Sequence, residues 1–111
     1  MTVQTLAEKL NLTVLSGGAD ALNREVTGGY CGDLLSWVMG RAPQNGAWIT
    51  IMSNVNVAAV AELADISCVL LAEGVAPDAA LLSRAAAEQI PLLQSPEAAF
   101  TLAGKLYGLL R

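Results

Sequence analysis

From residue 25 onward the chain alternates four times between a short apolar or β-branched run and a helical stretch, with only brief connections. The runs are "EVTGGY", "AWITIM", "ISCVLLAEG" and "IPLLQS". Strands joined through helices by short loops lie parallel, with right-handed crossovers. "ISCVLLAEG" is nearly unbroken in apolar content, as a strand covered on both faces is. The order predicts an α/β fold of three layers, a mainly parallel sheet of about four strands with helical crossovers.

Local signals place the elements. Val3, Leu6, Ala7 and Leu10 recur at helical spacing, with Thr2 or Thr5 as a start. "LTVL" at residues 12–15 reads as an extra strand, and residues 16–24 as a polar connector. Asp33 is expected to cap a helix that stops at Gly40, with Pro43 beyond. Asn54 or Asn56 caps the next, Pro77 and Asp78 open the third, and Pro96 sits in the first turn of the last. Phe100 and Tyr107, seven apart, are expected on the inner face of that last helix. The chain reads as one domain over residues 1–111, an N-terminal helix and strand extension at 1–24 on a core at 25–111. Whether 1–24 joins the sheet or lies across it stays open.

Composition narrows the function. Apolar residues make up 54% and charged ones 14%, against about 25% charged in typical soluble domains. So little charge on a small domain predicts a homo-oligomer, a dimer first. The net charge is −4, and no basic residue lies between Arg41 and Arg84, so nucleic acid is not the partner. There is no histidine, which excludes serine–histidine and cysteine–histidine catalysis and removes the commonest general base. Cys31 and Cys68 form no Cys-x-x-Cys, and a zinc site lacks ligands. Cys68 is expected in the core and Cys31 as a small packing residue; Trp37 and Trp48 are expected in core or interface. The N-terminus is not a signal peptide and no apolar run reaches a membrane span's length, so a cytoplasmic protein without a membrane partner is expected. No metal or cofactor is expected.

"GGYCGDLLSW" resembles a phosphate-binding loop at first sight. A nucleoside triphosphatase loop needs Gly-x-x-x-x-Gly-Lys-Ser/Thr, and here Asp33 stands where the lysine would be. A dinucleotide loop needs Gly-x-Gly-x-x-Gly, of which Gly29 and Gly32 meet only a fragment. The glycines either turn the chain alone or also touch a ligand. In open α/β sheets ligands sit beyond the strands' carboxyl ends. A candidate rim there comprises Gly29, Gly32, Asp33, Ser53, Asn54, Asn56 and Gly74. The two asparagines and the serine can donate and accept hydrogen bonds to a small polar ligand.

Together "VTGGYCGDLLSWVMG", "AWITIMSNVNVAAVAELADISCVLLAEG" and "IPLLQSPEAAFTLAGKLYGLL" resemble the DRTGG domain, related to the N-terminal domain of HPr kinase/phosphorylase and more distantly to those of Mur ligases. The string Asp-Arg-Thr-Gly-Gly itself is absent; Thr27-Gly28-Gly29 is what stands here, and Ala99-Phe100 replaces a frequent Thr-Phe pair. The resemblance implies a compact α/β regulatory domain, of the kind that accompanies CBS pairs, phosphotransacetylases or the HPr kinase catalytic domain. Short stand-alone members occur beside hydrogenase-type redox genes, which implies a redox-enzyme partner. It implies no kinase activity, because the kinase's phosphate loop belongs to another domain. The expected function is a non-catalytic regulatory module binding a small polar or phosphorylated ligand, nucleotides included, as a homo-oligomer. The alternative is a purely structural oligomerisation or protein-interaction domain.

Overall fold

Thr2 starts the first helix: its hydroxyl accepts from the Thr5 N–H at 3.1 Å, and α1 runs Val3–Leu10 until Asn11 turns left-handed at φ 59. The computed structural model describes residues 1–111. After α1 come β1 (Thr13–Ser16), α2 (Ala19–Leu22), β2 (Gly28–Cys31), α3 (Leu35–Arg41) and β3 (Gly46–Thr50). Then follow α4 (Asn56–Leu63), β4 (Cys68–Leu71), α5 (Ala79–Ala87), β5 (Leu92–Gln94) and α6 (Ala99–Leu110). The sheet order is β1-β5-β4-β3-β2; the four strands β2 to β5 are parallel, as expected, and β1 adds a fifth, antiparallel to β5. The N-terminal segment thus joins the sheet, and the expected polar connector contains α2. No helix is long and apolar enough to cross a membrane.

Alternation along the strands splits the core in two. Ala47, Ile49, Cys68, Leu70 and Leu93 face α1 and α6, against Leu6, Leu10, Leu102 and Leu106. Trp48, Val69, Leu71 and Leu92 face α3, α4 and α5, against Val38, Val57, Ala61 and Leu81. The three layers are therefore α1/α6, sheet, α3/α4/α5. Both cysteines are free; Cys68 is buried as expected, whereas Cys31 is exposed on β2.

Several local expectations change. Asp33 does not cap α3: the N-cap is Leu34, with no side-chain bond, because the Asp33 carboxylate is engaged by β3 instead. The helix runs through Gly40 to Arg41, whose guanidinium lies 3.7 Å from the Trp37 ring centroid one turn back. Trp48 is fully buried, but Trp37 is 50% exposed. Val55 occupies the N-cap position of α4, and neither Asn54 nor Asn56 does. Asp78 caps α5 as expected, accepting from the Leu81 N–H at 2.9 Å. Pro96 precedes α6 rather than opening it.

Phe100 and Tyr107 do share a face of α6, but it is the outer one, 91% and 70% exposed. The inner stripe belongs to Leu102 and Leu106, which approach the sheet closely because Gly29 has no side chain. A Cβ there would stand 3.0 Å from Leu106 Cδ2. Gly104 and Gly108 lie inside α6, where each costs about 0.5–1 kcal/mol relative to alanine. A Cβ at either would meet no neighbouring atom within 4 Å.

Candidate functional site

Because β2 to β5 run parallel, their carboxyl ends open on one edge of the sheet, followed by the loops that lead into α3, α4, α5 and α6. Gly32, Asp33, Ser53, Asn54, Asn56 and Gly74 all fall in those loops or at the first residue of a helix. Gly29 does not. It is mid-strand in β2, paired with Ala47, and serves the contact with Leu106.

The β2–α3 loop is tied to β3 at several points. The Gly32 N–H donates to the Ile49 carbonyl at 3.0 Å, and the Gly32 carbonyl accepts from the Trp48 indole N–H at 2.9 Å. Asp33 Oδ1 accepts from the Thr50 hydroxyl at 2.7 Å and from the Ile51 N–H at 3.0 Å. These bonds answer how the glycine-rich stretch is used within the chain: it turns tightly and anchors its carboxylate on the neighbouring strand.

The β3–α4 loop is held more loosely. The Ser53 carbonyl accepts from the Asp78 N–H at 2.9 Å, and Asn54 Oδ1 from the Asn56 N–H at 2.9 Å. The N–H groups of Ser53, Asn54 and Val55 make no hydrogen bond within the chain. They lie just ahead of α4, whose own first N–H groups are taken within the loop: Asn56 by Asn54 Oδ1, Val57 by the Asn54 carbonyl and Ala58 by the Val55 carbonyl. The Asn56 side chain is exposed beside them.

The third loop depends on backbone that few residue types adopt. Glu73 has φ 61 and Gly74 φ 71, and their N–H groups donate to the carbonyls of Glu97 at 2.8 Å and Ser95 at 2.9 Å. The Glu73 carboxylate accepts from the Ala99 N–H at 2.8 Å and so satisfies the start of α6. Sequence reasoning missed this reach of Glu73 to α6 and the anchoring of Asp33 by Thr50. A Glu–Gly pair after an apolar run signals a turn, but its partner 26 residues later carries no local mark.

The rim is shallow: none of the molecule's clefts is lined by Asp33, Ser53, Asn54, Asn56 or Gly74. One cleft, about 200 Å³ and apolar, lies between β2 and α6 with Gly29, Ile49, Leu106 and Tyr107 in its walls. A polar one lies between the end of α1 and α6, with Lys9, Ser95, Glu97 and Lys105. The charged groups in the β2–α3 and β4–α5 loops are acidic (Asp33, Glu73, Asp78) and the β3–α4 loop has none, so an anion there would meet backbone donors and asparagine amides; the nearest cation to the remaining loop, Lys105, pairs with Glu97. Beside it the Cys31 thiol is raised above its ordinary value, by burial first and by the Asp33 charge second. The neighbouring carboxylates of Glu62 and Glu88, the latter bonded to Arg84 at 3.2 Å, stand exposed and apart from the rim. No group of three Asp, Glu, Cys or His side chains is arranged to hold a metal.

Comparison with known proteins fits this architecture. The model of the DRTGG domain family matches residues 5–109. Among solved structures, the chain resembles the CBS and DRTGG domains of the regulatory region of Clostridium perfringens pyrophosphatase, crystallised with its activator, diadenosine tetraphosphate. The TM-score is 0.72 at 10% identity, over 95% of this chain and 45% of that one. The likeness is one of fold, and this chain spans less than half of that region. No curated protein matches the chain.

Proposed function

Because the chain belongs to the DRTGG domain family, we propose that it is a non-catalytic regulatory module whose strand-end rim takes a small polar or phosphorylated ligand. The observation that carries this reading is the run of free N–H groups at Ser53, Asn54 and Val55, with the Asn54 and Asn56 amides alongside. Successive unpaired backbone N–H groups can cradle anionic oxygen without a lysine. Non-catalytic action is supported by the chemistry of the loops around Ser53–Asn56: residues 32–34, 51–55 and 72–78 hold no histidine and no lysine to move a proton. The pyrophosphatase regulatory region responds to a nucleotide activator. It contains CBS domains too, so its activator motivates the choice of nucleotides as probes without assigning a site on the present fold.

A shallow rim gives a ligand few walls, and sites that hold small molecules well bury most of them. A second surface, from another domain or subunit, would supply the missing cover. In this reading residues 1–111 act as one folded unit, and a redox enzyme is one candidate owner of that second surface.

The test is thermal unfolding of the purified chain with adenosine mono-, di- and triphosphate, diadenosine tetraphosphate and inorganic phosphate. A site predicts a melting temperature that climbs with ligand concentration, as binding to the folded state requires. Asn56→Ala and Ser53→Pro, which removes one N–H, should abolish the climb. No shift with any probe at millimolar concentration would overturn the ligand reading. The second reading, a structural interaction domain, would then stand, favoured by the exposed aromatic face of α6.

A further inference from the structure

Helix α6 turns its largest side chains away from the sheet. Phe100, Gly104, Tyr107, Gly108 and Arg111 recur at helical spacing and form one outward stripe. Single exposed apolar residues are ordinary, but here two aromatics, 91% and 70% exposed, flank one shallow depression on α6 with Thr101, Ala103 and Gly104, and Tyr107 also walls the apolar cleft beside β2. The glycines of this stripe have no reason inside the chain, since a Cβ at Gly104 or Gly108 would meet nothing. Alanine would make the better helix. A reason outside the chain is a backbone that comes close.

We infer that this stripe seats a second copy of the chain, with the two α6 helices packed antiparallel across a twofold axis near Gly104. The stripe is complementary to itself in that arrangement, as an isologous contact demands. Phe100 of each copy lies over Gly108 of the other, a knob on a position without a side chain. Tyr107 comes beside Thr101, and Arg111 reaches Glu97. The twofold makes this pairing of opposite charges twice, beside the Lys105–Glu97 ion pair. The apolar cleft, walled by Ala103, Leu106, Tyr107 and Leu110, opens next to the contact. Beside it β2 is an edge strand of sequence Gly-Gly-Tyr-Cys, with none of the charges or prolines that guard an open edge. A covering subunit would shield it.

This interface goes beyond the ligand reading and uses none of its residues, so the two fail separately. The test is light scattering on the intact chain across the micromolar range. A dimer is expected for the native sequence, and Gly104→Leu and Phe100→Ser should each weaken it by at least about tenfold, as loss of a central anchor does. Gly104→Leu should meanwhile keep or raise the helical melting temperature read by circular dichroism, which separates a lost contact from a lost fold. In a Cys31→Ser background, Gly104→Cys should cross-link to its own copy under mild oxidation, and Ser83→Cys on α5 should not. A native chain that stays monomeric throughout would overturn the proposal. So would a dimer that survives both substitutions, or equal cross-linking at the two engineered positions.

Discussion

A carboxylate at the start of a helix has two uses, and Asp33 takes the less local one. It spans from the β2–α3 loop to Thr50 and Ile51 at the end of β3, leaving the helix start uncapped. Asp33→Ala would strand the Ile51 N–H and the Thr50 hydroxyl, at a cost of about 1 kcal/mol for partly solvated groups. Thermal denaturation should register a fall of roughly 4–8 °C. The amide introduced by Asp33→Asn keeps an acceptor oxygen, so that substitution should lose less than half as much. The two thiols give a sharper contrast. Burial and Asp33 raise Cys31 above 9.0, and burial pushes Cys68 to about 12. Only the thiolate attacks an alkylating reagent. Iodoacetamide at neutral pH should therefore label one cysteine slowly in the folded chain, faster as the solution is made more alkaline, and the second only on unfolding. Two fast equivalents at neutral pH would contradict this placement. Asp33→Asn, by removing the charge, should speed the labelling of Cys31.

At the scale of elements, the close seating of α6 depends on a glycine in one strand and a leucine in the helix. Leu106 is 3% exposed and packs where Gly29 leaves room. Leu106→Ala should cost about 2–5 kcal/mol, the range for a buried leucine truncated to alanine, measured by urea unfolding. An effect below about 1 kcal/mol, well under that range, would mean that α6 packs elsewhere. Most elements here were legible in the sequence because their causes are local. Alternating apolar runs, the Thr2 and Asp78 caps and the short connections each act within a few residues. What was not legible depends on neighbours far along the chain. The orientation of α6 is an example: Phe100 and Tyr107 share a stripe by spacing alone, but Gly29 decides which stripe faces the sheet. The placement of Gly29 in mid-strand, away from the rim, has the same origin. Glu73 likewise takes its role at α6 from the adjacency of β4 and β5.

The whole molecule shares one of its two cores between the N-terminal segment and the last helix. Val3, Leu6, Ala7 and Leu10 pack in the same cluster as Leu102 and Leu106. Residues 1–24 are in this sense a wall of the domain, and not an appendage. Deleting them should abolish cooperative unfolding and expose the face of the sheet that α1 covers, detectable by dye binding. A truncated chain that melts sharply near the native temperature would show that residues 25–111 fold by themselves.

The antiparallel pairing of β1 with β5 also sets an order of events. Thr13 lies opposite Gln94, so the first strand synthesised must wait for the last before it finds its neighbour. At roughly 5–20 residues per second, the intervening stretch of about 80 residues takes on the order of 4–16 s to make. Parallel strands β2, β3 and β4 can assemble stepwise as each crossover is completed, but the core that holds α1 lacks Leu93, Leu102 and Leu106 until β5 and α6 exist. Nascent chains stalled before residue 92 should accordingly bind holdase chaperones through their first dozen residues. Release of the last helix is the step that completes the cover over the sheet face it shares with α1.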